Sequence, residues 1–134
     1  MNYALDASAM IAFVSAKPGG DLVEELLADS RNQCYAHAAN LCEVYYDACR
    51  RIGRDSAASL ITDLSTSGVR FRSDMDLEFW QRAGRLKAEV RRISLADCFG
   101  FALSLVLDAE FVTADRHEME VLMSEPDYKI RMIR

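Results

Sequence analysis

Residues 3–8 read Tyr3-Ala4-Leu5-Asp6-Ala7-Ser8, and residues 110–115 read Glu110-Phe111-Val112-Thr113-Ala114-Asp115. Each is a short apolar run that stops at an aspartate and is followed by a sequence able to form a helix. A strand-sized apolar run wants a core, and a carboxylate does not. An acid placed there therefore marks the strand's end, where a helix N-terminus favours negative charge. Working outward, Gln33 to Ala36 and Val69 to Phe71 read as further strands, and Lys129 to Ile133 as a last one.

Between the strands the apolar residues recur at helical spacing. Leu22, Val23, Leu26 and Leu27 form a stripe behind Asp21, which reads as an N-cap. Leu41, Val44, Tyr45, Ala48 and Ile52 form another from Asn40 until Gly53. Helices are also expected over 55–66, 75–91, 94–108 and 116–123. The helix from Ser94 is apolar nearly all round and is expected to be central and buried. Strands alternating with helices predict an α/β fold with a mainly parallel central sheet flanked by helices on both faces.

The 134 residues suit one domain, 1–134, and at 51% hydrophobic they can bury a real core. No leader sequence is evident at the N-terminus. The longest apolar run, Phe99 to Leu107, is too short for a bilayer span. A cytoplasmic protein with no membrane partner is the expectation. Cys34, Cys42, Cys49 and Cys98 form no C-x-x-C pair, and Cys42 and Cys49 lie two helical turns apart. They read as reduced, buried thiols. The net charge of −5 argues against nucleic-acid binding driven by bulk charge. It does not exclude a nuclease, because bound cations reverse the sign of an acidic site. Arg50, Arg51 and Arg54, and Arg85, Lys87, Arg91 and Arg92, read as solvated helix faces. Phe79, Trp80 and the tyrosines read as core, and His37 and His117 as ordinary core or surface residues.

Asp6, Glu43, Asp97 and Asp115 each interrupt an apolar neighbourhood. Capping explains any one of them. Ser94-Leu95-Ala96-Asp97 and Asn40-Leu41-Cys42-Glu43 fit capping boxes, and Asp115 can cap a helix that has Glu118 at its third position. Together they suggest more. In an open parallel sheet the carboxyl ends of the strands share one rim, where ligands bind. Carboxylates gathered there repel one another unless a cation lies between them, and hard oxygen ligands select Mg²⁺ or Mn²⁺. Capping and metal binding are compatible.

The pieces Leu5-Asp6-Ala7-Ser8, Asn40-Leu41-Cys42-Glu43-Val44, Ser94-Leu95-Ala96-Asp97-Cys98-Phe99 and Phe111-Val112-Thr113-Ala114-Asp115-Arg116, in this order and spacing, resemble the PIN-domain family. At this length the chain is similar to the family's VapC-type toxins. The resemblance implies a ribonuclease whose quartet Asp6, Glu43, Asp97 and Asp115 is both catalytic and metal-binding, with Ser8, Asn40 and Thr113 beside the centre. It also implies an RNA substrate, a cognate VapB-like antitoxin and a homodimer. One departure from the family is that Cys98, Phe99, Gly100 and Phe101 follow Asp97, where some members carry a further acid. Two other readings compete. A phosphatase with an aspartyl nucleophile would carry a second acid two residues after Asp6, where this chain has Ser8. A catalytically inactive PIN-like module would bind RNA or a partner without cutting.

Overall fold

A computed structural model describes residues 1–134. Five strands form one parallel sheet: β1 (Asn2–Leu5), β2 (Gln33–His37), β3 (Val69–Arg72), β4 (Glu110–Thr113) and β5 (Ile130–Met132). Seven helices connect them: α1 (Ala7–Val14), α2 (Gly20–Ala28), α3 (Ala38–Ile52), α4 (Arg54–Thr66), α5 (Leu77–Glu89), α6 (Leu95–Val106) and α7 (Arg116–Met123). The strand order is β3-β2-β1-β4-β5. The chain winds one way from β1 to β3 and the other way from β4 to β5, so the order reverses between β1 and β4. That reversal opens a crevice at the strands' carboxyl ends, just where Asp6 and Asp115 lie.

Strand alternation divides the core in two. Tyr3 and Leu5 of β1, Cys34 and Ala36 of β2 and Val112 of β4 pack with Met10, Val23, Leu41, Val44 and Leu64 on one face. Ala4 and Phe111 pack with Phe79, Ala83, Phe101, Leu103, Met119 and Leu122 on the other. The sheet is thus covered on both faces, as its alternating elements predict. α6 is the most buried helix, although Leu95 and Val106 at its ends are exposed. No helix is long and apolar enough to cross a membrane.

Several local expectations are corrected. α2 starts at Gly20 behind Gly19, so Asp21 sits in its first turn and is not its cap. α3 starts two residues before Asn40, because the His37 ring takes the capping role: its Nδ1 accepts from the Ala39 amide at 3.0 Å. Gly53 closes α3 with φ +87°, a backbone that costs other residues more than glycine. α5 ends at Glu89, where Lys87 Nζ donates to the carbonyls of Arg91 and Ile93 and holds the following turn. Trp80, Tyr45 and Tyr46 are exposed, not core, because no other element covers them. All four cysteines are free, but only Cys34 and Cys98 are buried.

Candidate active site

Asp6 follows β1 directly and caps α1. Its Oδ1 accepts from the Ala9 amide at 2.8 Å and the Ser8 hydroxyl at 2.6 Å, and its Oδ2 accepts from the Thr113 hydroxyl at 2.5 Å. Ser8 Oγ in turn accepts from the Ala114 amide at 2.8 Å. The two hydroxyls therefore tie the end of β1 to the end of β4 and fix the carboxyl between them. Asp6 is only 1% exposed. Burial outweighs the three hydrogen bonds to its charged form and pushes it up to about 6.

Asp97 is the third residue of α6 and is also buried. Its Oδ1 accepts from Asn40 Nδ2 on α3 at 3.0 Å. Burial, the charge of Asp6 and contact with the Glu118 carboxyl push it up to about 10. Asn40 packs against α6 at Gly100: a Cβ there would stand 2.3 Å from Asn40 Oδ1, so the glycine leaves the space in which the amide reaches Asp97. That Oδ1 is a buried acceptor with no hydrogen-bond partner. Glu43, half-buried one turn along α3 from Asn40, is raised by burial and then by the charges of Asp6 and Glu118.

Asp115 caps α7: its Oδ1 accepts from the Glu118 amide at 3.0 Å, and its own amide donates to Thr113 Oγ1 at 3.0 Å. The largest effects on Asp6, Glu43 and Asp97 come from burial, local hydrogen bonds, one another and Glu118, and not from Asp115. The structure thus brings Asp6, Glu43 and Asp97 into mutual influence and places Asp115 at the rim, joined to them through Thr113. Glu118, in the first turn of α7, is a fifth acid that the sequence marks only as a helix-capping residue. An acid three residues after an N-cap carries no sign that its side chain leaves its own helix.

The capping boxes are correspondingly altered. Asn40 and Glu43 form none, since His37 is the cap. In α6, Ser94 Oγ accepts from the Asp97 amide at 3.2 Å, but the return bond to the Ser94 amide comes from Glu118. None of the five acids is ion-paired; the six ion pairs of the molecule lie elsewhere. An uncompensated set of carboxylates, hydroxyls and one amide has the donor chemistry of a hard divalent cation. In this conformation no three of the acids stand close enough to close on one ion. That spacing is compatible with Mg²⁺, which keeps several waters and takes one or two carboxylates.

A PIN-domain family model matches residues 3–121. The chain belongs to the PIN-domain family. Solved structures show the same PIN fold at low identity. The VapBC2 complex of Rickettsia felis bound to a promoter DNA fragment aligns at TM-score 0.72 and 18% identity, covering 98% of each chain. The DNA-bound VapBC of Salmonella typhimurium aligns at TM-score 0.74 and 16% identity, covering 100% of this chain and 99% of that one. Mycobacterium tuberculosis VapC20, described as a sarcin–ricin-loop-cleaving toxin, aligns at TM-score 0.71 and 14% identity, covering 90% and 95%. Among curated proteins none matches this sequence. Within this PIN domain the acids occupy the crevice where the strand order reverses, the usual ligand position in such sheets.

Proposed function

We propose that this PIN domain is a metal-dependent endoribonuclease and the toxin of a type II toxin–antitoxin pair, acting in the cytoplasm on an RNA phosphodiester. The observation that carries the reading is a buried carboxylate cluster with no cationic partner at the β1/β4 crevice. Such a cluster repels a polyanion unless a divalent ion sits in it. Asp6, Asp97 and Asp115 would hold Mg²⁺ or Mn²⁺ directly or through water. When bound, the ion supplies a Lewis acid for the phosphate and a water of lowered pKa. Glu43, the least enclosed of Asp6, Glu43 and Asp97, would orient a water or accept its proton. Ser8 and Thr113 keep Asp6 aimed inward, and Asn40 does the same for Asp97. Arg116, exposed beside Asp115, would hold a flanking phosphate.

The partner reading rests on the structural neighbours, which include VapBC complexes. A cognate VapB-like antitoxin is proposed to cover the site, with an Arg or Lys entering the carboxylates in the ion's place. An open apolar groove of about 400 Å³, lined by Leu41, Tyr45, Ile61 and Phe71, runs along α3, the helix that carries Glu43, and supports a protein partner there. A homodimer is proposed by family likeness.

Titration with Mn²⁺ separates the enzyme from an inactive scaffold of the same fold. The enzyme binds Mn²⁺ and loses it in Asp6→Asn. A protein indifferent to Mn²⁺ is a binding module.

A further inference from the structure

We propose that Glu118 is a positioning residue for Asp97, acting through a hydrogen-bond latch between α7 and α6. The inference rests on the metal-nuclease reading of the site. In an ordinary capping box the acid at the third helical position bonds back to the amide of its own N-cap. Two such boxes are opened here and joined crosswise. In α7, the Asp115 amide is taken by Thr113 Oγ1, which leaves the Glu118 carboxylate free of its own helix. In α6, the Ser94 amide is taken by Glu118 Oε1 across 24 residues of sequence, which leaves the Asp97 carboxyl free of its own helix. Asp97 then turns to Asn40 on α3.

The result is a continuous chain. Thr113 donates to Asp6 and accepts from the Asp115 amide; Asp115 accepts from the Glu118 amide; Glu118 accepts from the Ser94 amide; Ser94 accepts from the Asp97 amide; Asp97 accepts from Asn40. Every acid of the site except Glu43 is in it. Arg92 reinforces the junction, since its Nη1 donates to the His117 carbonyl at 3.1 Å and so ties the α5–α6 turn to the start of α7. Without Glu118 the Ser94 amide loses its acceptor. The ordinary capping box supplies a replacement in Asp97, the third residue of α6, which would swing back to cap its own helix and leave the crevice.

The test compares Glu118→Gln, which keeps an oxygen acceptor, with Glu118→Ala, which removes it. Hydrogen exchange at the Ser94 amide reads the latch without any metal, and titration with Mn²⁺ reads its consequence. Glu118→Gln is expected to keep the amide protected and Mn²⁺ affinity within a few fold of wild type. Glu118→Ala is expected to expose the amide and to weaken Mn²⁺ binding by about 10–100-fold, the usual effect of losing a partner that orients a ligand. Should Glu118→Ala not fold, Glu118→Leu fills the same space without an acceptor. The proposal is overturned if the variant without an acceptor binds Mn²⁺ as wild type does. It is equally overturned if Glu118→Gln loses as much affinity as Glu118→Ala with its amide still protected, since Glu118 is then a ligand or a charge, not a latch. A wild type that binds no Mn²⁺ overturns the metal reading first and the latch's role with it.

Discussion

Asp97→Asn should stabilise the metal-free protein, because the wild type folds a carboxyl into a place that suits it badly. Asp97 is 4% exposed, has no cation beside it and is pushed from the ordinary 3.8 up to about 10. The folded state therefore holds a proton that the unfolded state releases. The stability tied to this group is complete below pH 3.8 and is lost as pH rises toward 10. Each pH unit costs about 1.4 kcal/mol, so holding that proton costs about 5 kcal/mol near pH 7.5 and about 1 kcal/mol near pH 4.5. Asparagine needs no proton, still accepts from Asn40, and turns its NH₂ toward the Glu118 carboxylate. Urea unfolding in EDTA at the two pH values measures the difference. The variant should gain more than about 2 kcal/mol near pH 7.5, and less than half of that near pH 4.5. Saturating Mn²⁺ should narrow the gap, adding about 2.7 kcal/mol to the wild type at a hundredfold excess over Kd and nothing to the variant. A variant less stable than wild type in EDTA near pH 7.5, or an equal gain at both pH values, would refute the reasoning.

Gly100→Ala places a Cβ 2.3 Å from Asn40 Oδ1 and 3.0 Å from the Phe111 ring. It should cost about 1–3 kcal/mol by overpacking and weaken Mn²⁺ binding as Asn40 is pushed off Asp97; thermal melts and titration check both. His37→Ala removes the α3 cap and a ring stacked 5.3 Å from Phe79 and 5.5 Å from Phe99. Loss of the cap alone should cost about 1 kcal/mol, and a melting temperature equal to wild type would contradict the capping role. Light scattering at micromolar concentration should give twice the 15.1 kDa chain mass if the proposed homodimer forms.

The strand-and-helix order was legible because each element carries its own signal. Tyr3-Ala4-Leu5 and Phe111-Val112-Thr113 are bounded by aspartates that cap α1 and α7, and Ser94 caps α6. These are local bonds, three residues apart, and sequence spacing reports them directly. What sequence spacing could not report is a bond whose partner lies far along the chain. Glu118 reads as a helix cap until the fold sets it against Ser94. Asn40 reads as an N-cap until His37, a less usual capping residue, takes that place and leaves the amide for Asp97. Likewise Trp80 and the tyrosines read as core from their large aromatic rings, yet residue type does not say whether another element covers Tyr45, Tyr46 and Trp80. Asp6, Glu43 and Asp97 were marked by acids in apolar surroundings. Their gathering and mutual repulsion at one rim follow from the strand ends; what needed the fold is that Glu118 joins them there.

The most direct test of the proposed activity is cleavage of a structured RNA by the purified chain with Mn²⁺, set against the same reaction in EDTA and with Asp97→Asn in Mn²⁺. Asp97→Asn keeps the shape and the bond to Asn40, so it should fold while its rate falls by orders of magnitude. Cleavage that requires Mn²⁺ and disappears in the variant is the expected result. Equal cleavage in EDTA, or a fully active Asp97→Asn, would contradict a metal-dependent nuclease centred on these carboxylates.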